Sequence, residues 1–152
     1  MDMVIAAVGR IRRGPVKDLF EDYVKRLTWT VTLKEVEERA TLPPEALKRK
    51  EAELILAALP DRAFTVALDE RGKQYTSTDF ARQIGRWRER SGGPLAFVIG
   101  GADGLHQSVL DDADATLSLG AMTWPHRLAR CLLVEQLYRA QSILAGHPYH
   151  RE

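Results

Sequence analysis

The sequence predicts an α/β fold, a mostly parallel sheet with helices on both faces. Three observations carry that prediction. Short β-branched runs alternate with helical stretches about five times along the chain. Glycine or proline stands at most of the junctions between them, as at Gly9, Gly14-Pro15, Pro43-Pro44 and Gly92-Gly93-Pro94. No internal repeat, low-complexity segment or linker interrupts the alternation, so residues 1–152 are expected to form one domain.

Taken in order, Val4–Val8 reads as a strand that Gly9 ends. Gly14-Pro15 opens a helix to about Leu27, with Leu19, Phe20, Tyr23, Val24 and Leu27 on one face at helical spacing. Val31–Glu38 reads as a strand, and Pro43-Pro44 starts a charged helix that Pro60-Asp61 closes after Leu59. Ala63–Leu68 is a strand followed by a turn at Asp69-Glu70-Arg71-Gly72. Ser77 or Thr78 can cap a helix running to about Arg90. Leu95–Ile99 reads as a buried strand that leads into Gly100-Gly101. A short helix at Leu105–Ala113, a strand at Thr116–Leu119, a long helix from Pro125 to Ala145 and a tail complete the chain.

Bulk composition narrows the function classes. With 45% hydrophobic and 28% charged residues, the chain has the balance of an ordinary soluble globular protein. Cys131 is the only cysteine, which removes disulfides and multi-cysteine metal sites and fits a cytoplasmic location. Apolar runs such as Leu95–Ile99 are too short to span a bilayer, and no signal peptide is seen, so no membrane role is expected. The net charge is +1, from 22 basic and 21 acidic residues, so any RNA affinity must come from a local patch.

Open α/β sheets bind ligands beyond the carboxyl ends of their strands. Three strand ends carry suitable residues: Leu68-Asp69, Ile99-Gly100-Gly101-Ala102-Asp103-Gly104, and Leu119-Gly120-Ala121-Met122-Thr123. Glycine there admits close approach of a ligand to backbone, so a side chain at Gly101 is expected to occupy ligand space. Each such glycine alone is equally a turn former. The spacing matches neither the dinucleotide fingerprint nor a phosphate-binding Walker loop, which disfavours a nucleotide- or flavin-binding protein.

The long helix has one apolar stripe through Ala129, Leu133, Leu137, Ala140 and Leu144. A second stripe runs through Leu128, Leu132, Glu135, Arg139 and Ile143, more than one side of a sheet can cover, and a homodimer interface is the natural recipient. Glu135 and Arg139 stand four apart, either a solvated pair or a functional one. The tail, His147-Pro148-Tyr149-His150-Arg151, interleaves an aromatic with cations, which suits stacking on a base and pairing with phosphate; a frayed polar terminus has the same composition. His147 and His150 lack a third ligand, so no metal is expected.

Three blocks together resemble the ribosomal RNA large subunit methyltransferase H family of the SPOUT class. They are Phe97 through Leu105, Leu117 through Leu128, and Arg130 through Ala140 with Ser142-Ile143 and the end Gly146 through Arg151. Ala67-Leu68-Asp69 and Gly72-Lys73 extend the likeness, which covers the whole chain. Two departures are visible: Ala102-Asp103 stands where the family has Pro-Glu, and Trp124 where an aliphatic residue is usual. The resemblance implies a C-terminal trefoil knot, rare among folds, and a homodimer. It also implies methylation by S-adenosyl-L-methionine of N3 of a pseudouridine in the intersubunit stem-loop of large-subunit rRNA, within the ribosome. By position, Leu68, Gly100, Gly101, Leu119, Gly120, Ala121, Met122, Thr123 and Trp124 would hold the cofactor. His126, Arg139, Tyr149, His150 and Arg151 would face the substrate, with His126, His150 or a Tyr149–Arg151 pair as candidates to take the N3 proton. The alternative is a non-catalytic ribosome-binding module that keeps the fold.

Overall fold

The structure is a computed structural model that describes residues 1–152. Its order is β1 (Asp2–Val8), α1 (Pro15–Arg26), β2 (Thr30–Val36), α2 (Pro44–Ala58), β3 (Phe64–Lys73), α3 (Ser77–Arg90), β4 (Leu95–Ile99), α4 (Gln107–Asp112), β5 (Ala115–Leu117) and α5 (His126–Ala145). The five strands form one sheet in the order β2-β1-β4-β3-β5, with every pairing parallel.

Alternation along the strands decides which helices cover which face. Met3, Ile5 and Ala7 of β1, with Phe97 and Ile99 of β4, point into a 20-residue core shared with α1, α3 and α5. Ala6 and Val8, with Val98, point the other way, into a 6-residue core under α2 and α4. The crossovers sort by direction. Steps toward the β2 edge use α1 and α3, and steps toward the β5 edge use α2 and α4. That division is what a single crossover hand requires.

Three sequence expectations need correction. The predicted turn at Asp69–Gly72 lies inside β3 as a bulge: Leu68 and Lys73 both pair with Leu117, so the residues between them are displaced from the ladder. The cap of α3 is Thr76, whose side chain accepts from the Asp79 amide at 3.1 Å, one residue before the expected Ser77. In α5 the first stripe is buried from Ala129 through Ala140, but Leu144 is 50% exposed, because the sheet beneath the helix has ended. The second stripe, Leu128, Leu132, Glu135, Arg139 and Ile143, is half-buried throughout.

One charged side chain lies fully inside. Arg130 on α5 is 0% exposed and reaches the carboxyl ends of β1 and β2. Its Nη2 donates to the Val8 and Gly9 carbonyls at 2.8 and 2.6 Å, and its Nη1 to Glu35 at 2.7 Å. Glu35 also accepts from the Ile11 amide at 2.7 Å. Burial works to raise the Glu35 carboxyl, yet the Ile11 amide and the Arg130 guanidinium outweigh it and hold the group below its ordinary value. Removing one partner of such a pair strands the others. Arg130→Ala is expected to lower stability by about 3 kcal/mol with an unchanged denaturant slope in urea unfolding, and a loss under about 1 kcal/mol would show that the clamp is idle.

Candidate active site

The carboxyl ends of β3, β4 and β5 and the start of α5 enclose a cleft of about 720 Å³. Of the nine residues expected to hold a cofactor, eight line it: Leu68, Gly100, Gly101, Leu119, Gly120, Met122, Thr123 and Trp124. Ala121 does not. His126 lines the same cleft from the first turn of α5.

The loops around the cleft are tied to one another. Ser118 Oγ donates to the Glu70 carbonyl at 3.0 Å and accepts from the Gly120 amide at 3.1 Å, so the loop after β5 is fastened to the bulge of β3. Thr123 Oγ1 donates to Glu70 at 3.2 Å, and the Trp124 indole N–H points at the Leu119 carbonyl at 3.4 Å. After β4 the chain folds back on itself, with the Gly104 amide donating to Gly101 O at 3.0 Å. A Cβ on Gly100 would lie 2.7 Å from the Gly104 carbonyl, so only glycine fits there. Gly101 departs from expectation. A Cβ on it would point at Val8 Cγ1 (3.0 Å) and Glu51 Oε2 (3.2 Å), away from the cleft, so a larger residue there would act by pushing the loop.

The remaining candidates gather farther along α5. Gly146, at φ 72°, ends the helix, and the His147 amide bonds back to Ser142 O at 2.8 Å, which turns the tail onto the helix. The tail is docked rather than frayed. Tyr149 packs edge-on to Tyr138 with ring centroids 4.7 Å apart, and its hydroxyl donates to Glu135 at 3.0 Å. Arg139 donates to the same Glu135 oxygen through Nε and Nη2, at 3.1 and 2.6 Å. Glu135 and Arg139 are therefore a built pair rather than a solvated one. Arg139 Nη1 also meets His150 Nδ1 at 3.1 Å. The other ring nitrogen, Nε2, is buried and lies 3.7 Å from the Glu152 carboxylate. Arg151 is exposed.

Electrostatics separates the proton acceptors. Burial, with Tyr23 and Glu135 adding to it, pushes the Tyr149 phenol far above its ordinary value, so it stays protonated and donates. His126 moves the other way, its pKa lowered by burial and by the nearby Arg127 and Arg130 charges. Glu135 lines a second cavity of about 340 Å³ that shares Leu117, Leu119, Gly120 and Trp124 with the cleft. His126 and Arg139, however, are 13 residues apart on one helix, about 20 Å along its axis. One chain therefore does not bring His126 and the tail cluster together. No three His, Cys, Asp or Glu side chains converge as a metal site, and no helix is long and apolar enough to cross a membrane.

The family model described as "Predicted SPOUT methyltransferase" matches residues 1–150, and the chain belongs to that family of methyltransferases. It is 58% identical over 151 residues to the ribosomal RNA large subunit methyltransferase H of Rhodospirillum centenum, covering 99% of both chains. Its identity to the protein of the same name from Paramagnetospirillum magneticum is 54% over 151 residues. A solved structure of a probable methylase family protein from Haemophilus influenzae matches 99% of this chain and 70% of its own, with a TM-score of 0.61 at 14% identity, a likeness of fold alone.

The lowered pKa of His126 has a measurable sign. Its neutral form is favoured in the folded state, so this contribution to stability is complete above the ordinary value of 6.5 and erodes as pH falls and the unfolded chain takes the proton first. An NMR titration of the His126 ring is expected to give a midpoint below 6.5. A midpoint above that value would contradict the assignment of a neutral imidazole facing the cleft.

Proposed function

We propose that the chain methylates N3 of a pseudouridine in the intersubunit stem-loop of large-subunit ribosomal RNA, using S-adenosyl-L-methionine, in the cytoplasm and as a homodimer. The observation that carries the reading is the cleft. Its apolar Leu68, Leu119, Met122 and Trp124 suit an adenine ring, and Gly100 lets the loop after β4 fold tightly on itself at the cleft wall. The charged lining residues, Asp69, Glu70 and Asp103 against Lys48 and Arg71, leave the cleft with a slight acidic excess, which suits a cationic sulfonium better than a phosphate chain. Bound there, the cofactor would supply an electrophilic methyl group.

The rest is the work of this chain's own residues. The N3 proton must leave as the methyl arrives, and the neutral His126 ring is available to take it. Arg139, held as a cation by Glu135, suits the stabilisation of negative charge on the base. The Tyr149 ring, packed on Tyr138, and the His150 imidazole beside Arg139 would help to orient it. Much of the rate would come from such positioning. Because His126 and the tail cluster lie about 20 Å apart in one chain, the homodimer is assigned a catalytic task. A two-fold contact along the half-buried stripe of α5 would carry the tail of one protomer to the cleft of its partner. A non-catalytic module has no comparable support, since the cleft is open and its glycines are intact.

Deleting Tyr149 through Glu152 is expected to cost about 1 kcal/mol of stability, to leave cofactor binding by calorimetry largely intact, and to abolish methyl transfer to pseudouridylated ribosomes. Full activity in the truncated protein would remove the tail from the mechanism. Leu132→Glu, which sets a charge in the half-buried stripe, is expected to sediment as a monomer or an aggregate. An intact dimer of unchanged affinity would exclude α5 as the contact.

A further inference from the structure

The chain carries a net charge of only +1 over 152 residues, so affinity for an RNA backbone needs a concentrated patch of positive charge. The connection between β1 and α1 supplies one. Residues 9–17, Gly-Arg-Ile-Arg-Arg-Gly-Pro-Val-Lys, contain four basic residues and no acid. Arg10, Arg12 and Arg13 are exposed, while Ile11 between them is buried and anchors the loop. Arg12 and Arg13 form no ion pair, and Arg10 has only a long, exposed contact to Glu37 at 3.8 Å.

The loop is held rather than loose. Arg130 bonds its first carbonyls, Glu35 takes the Ile11 amide, and Arg127 Nε donates to the Arg10 carbonyl at 2.9 Å. It also adjoins the cleft, since a Cβ on Gly9 would lie 3.3 Å from His126 Nε2. Guanidinium forks on a fixed backbone fit phosphate oxygens, and with Ile11 buried nothing apolar stands between them to enter a bilayer.

We propose that the β1–α1 loop is the docking platform for the RNA backbone, with Arg10, Arg12, Arg13 and Arg127 contacting phosphates beside the target nucleotide. The proposal rests on the RNA substrate argued above. It takes the work of ribosome attachment away from the tail, which is left with the reacting base.

The test compares the full-length protein with Arg12→Glu/Arg13→Glu, and with the milder Arg12→Gln/Arg13→Gln should the first fold poorly. Binding to purified ribosomes is measured over a range of potassium chloride concentrations. Cofactor affinity by calorimetry is expected to be unchanged. Ribosome affinity should fall about tenfold or more, and for the Gln pair the log–log salt slope should drop by roughly one per lost phosphate contact. In methyl transfer, KM should rise while kcat stays within about twofold. Arg86→Glu, on the exposed face of α3, should change little. Unchanged affinity and salt slope in both double variants would overturn the platform, as would an equal loss from Arg86→Glu or equally tight binding of anionic vesicles. Failure of the wild-type protein to bind or methylate ribosomes would instead overturn the RNA reading itself.

Discussion

Arg130 carries a full charge where water does not reach, and the arrangement around the cleft depends on how that charge is satisfied. An unpaired guanidinium at such depth would cost several kcal/mol. Its two terminal nitrogens are met by the Glu35 carboxylate and by the Val8 and Gly9 carbonyls at the carboxyl end of β1, while Nε is buried without a partner. The same contacts fix the position of α5, since the helix has to bring Arg130 over Val8 and Gly9. His126 then falls one turn earlier, against Gly9 and the mouth of the cleft. Glu35, held by two donors, also pins the loop that follows β1. A single buried cation thereby couples the strand ends, the long helix and the basic loop.

The cleft follows from the sheet order. With β4 beside β3 and β3 beside β5, the three strand ends, two of them bearing glycine, open on the same side and their loops meet. Each is fixed by short polar bonds: Ser118 to the bulge in β3, Gly104 to Gly101, Thr123 to Glu70. A site made largely of backbone is insensitive to many side-chain changes. Trp124 is 41% exposed and lines both cavities.

The strands and helices were legible because each is a long local signal. Val4–Val8 and Leu95–Ile99 are apolar on consecutive residues, and both strands are covered on both faces. The Asp69–Gly72 excursion was visible from its residues, but its character as a bulge was not, because that depends on both its flanks pairing with Leu117. The residues expected to hold a cofactor came from motif resemblance, and the loops bring all but Ala121 to one cleft. Arg130 escaped notice for a physical reason. Its partner Glu35 lies 95 positions away, and periodicity along α5 places the residue without revealing what it meets. The charge of Arg10, Arg12 and Arg13 is written in the sequence, yet only the fold sets the start of their loop, Gly9, against His126. The docking of Tyr149 and His150 was likewise hidden, since their composition also suits a frayed end.

Methyl transfer by this chain requires that the cleft at the ends of β3, β4 and β5 hold the methyl donor. A crystal structure of the protein grown with S-adenosyl-L-methionine or its demethylated product measures this directly. The adenosyl group should lie against Leu68, Gly101 and the Leu119–Trp124 loop, bonded chiefly to backbone, with the sulfur turned toward His126. Ligand density in the smaller cavity by Glu135, or an empty cleft at saturating ligand, would contradict it.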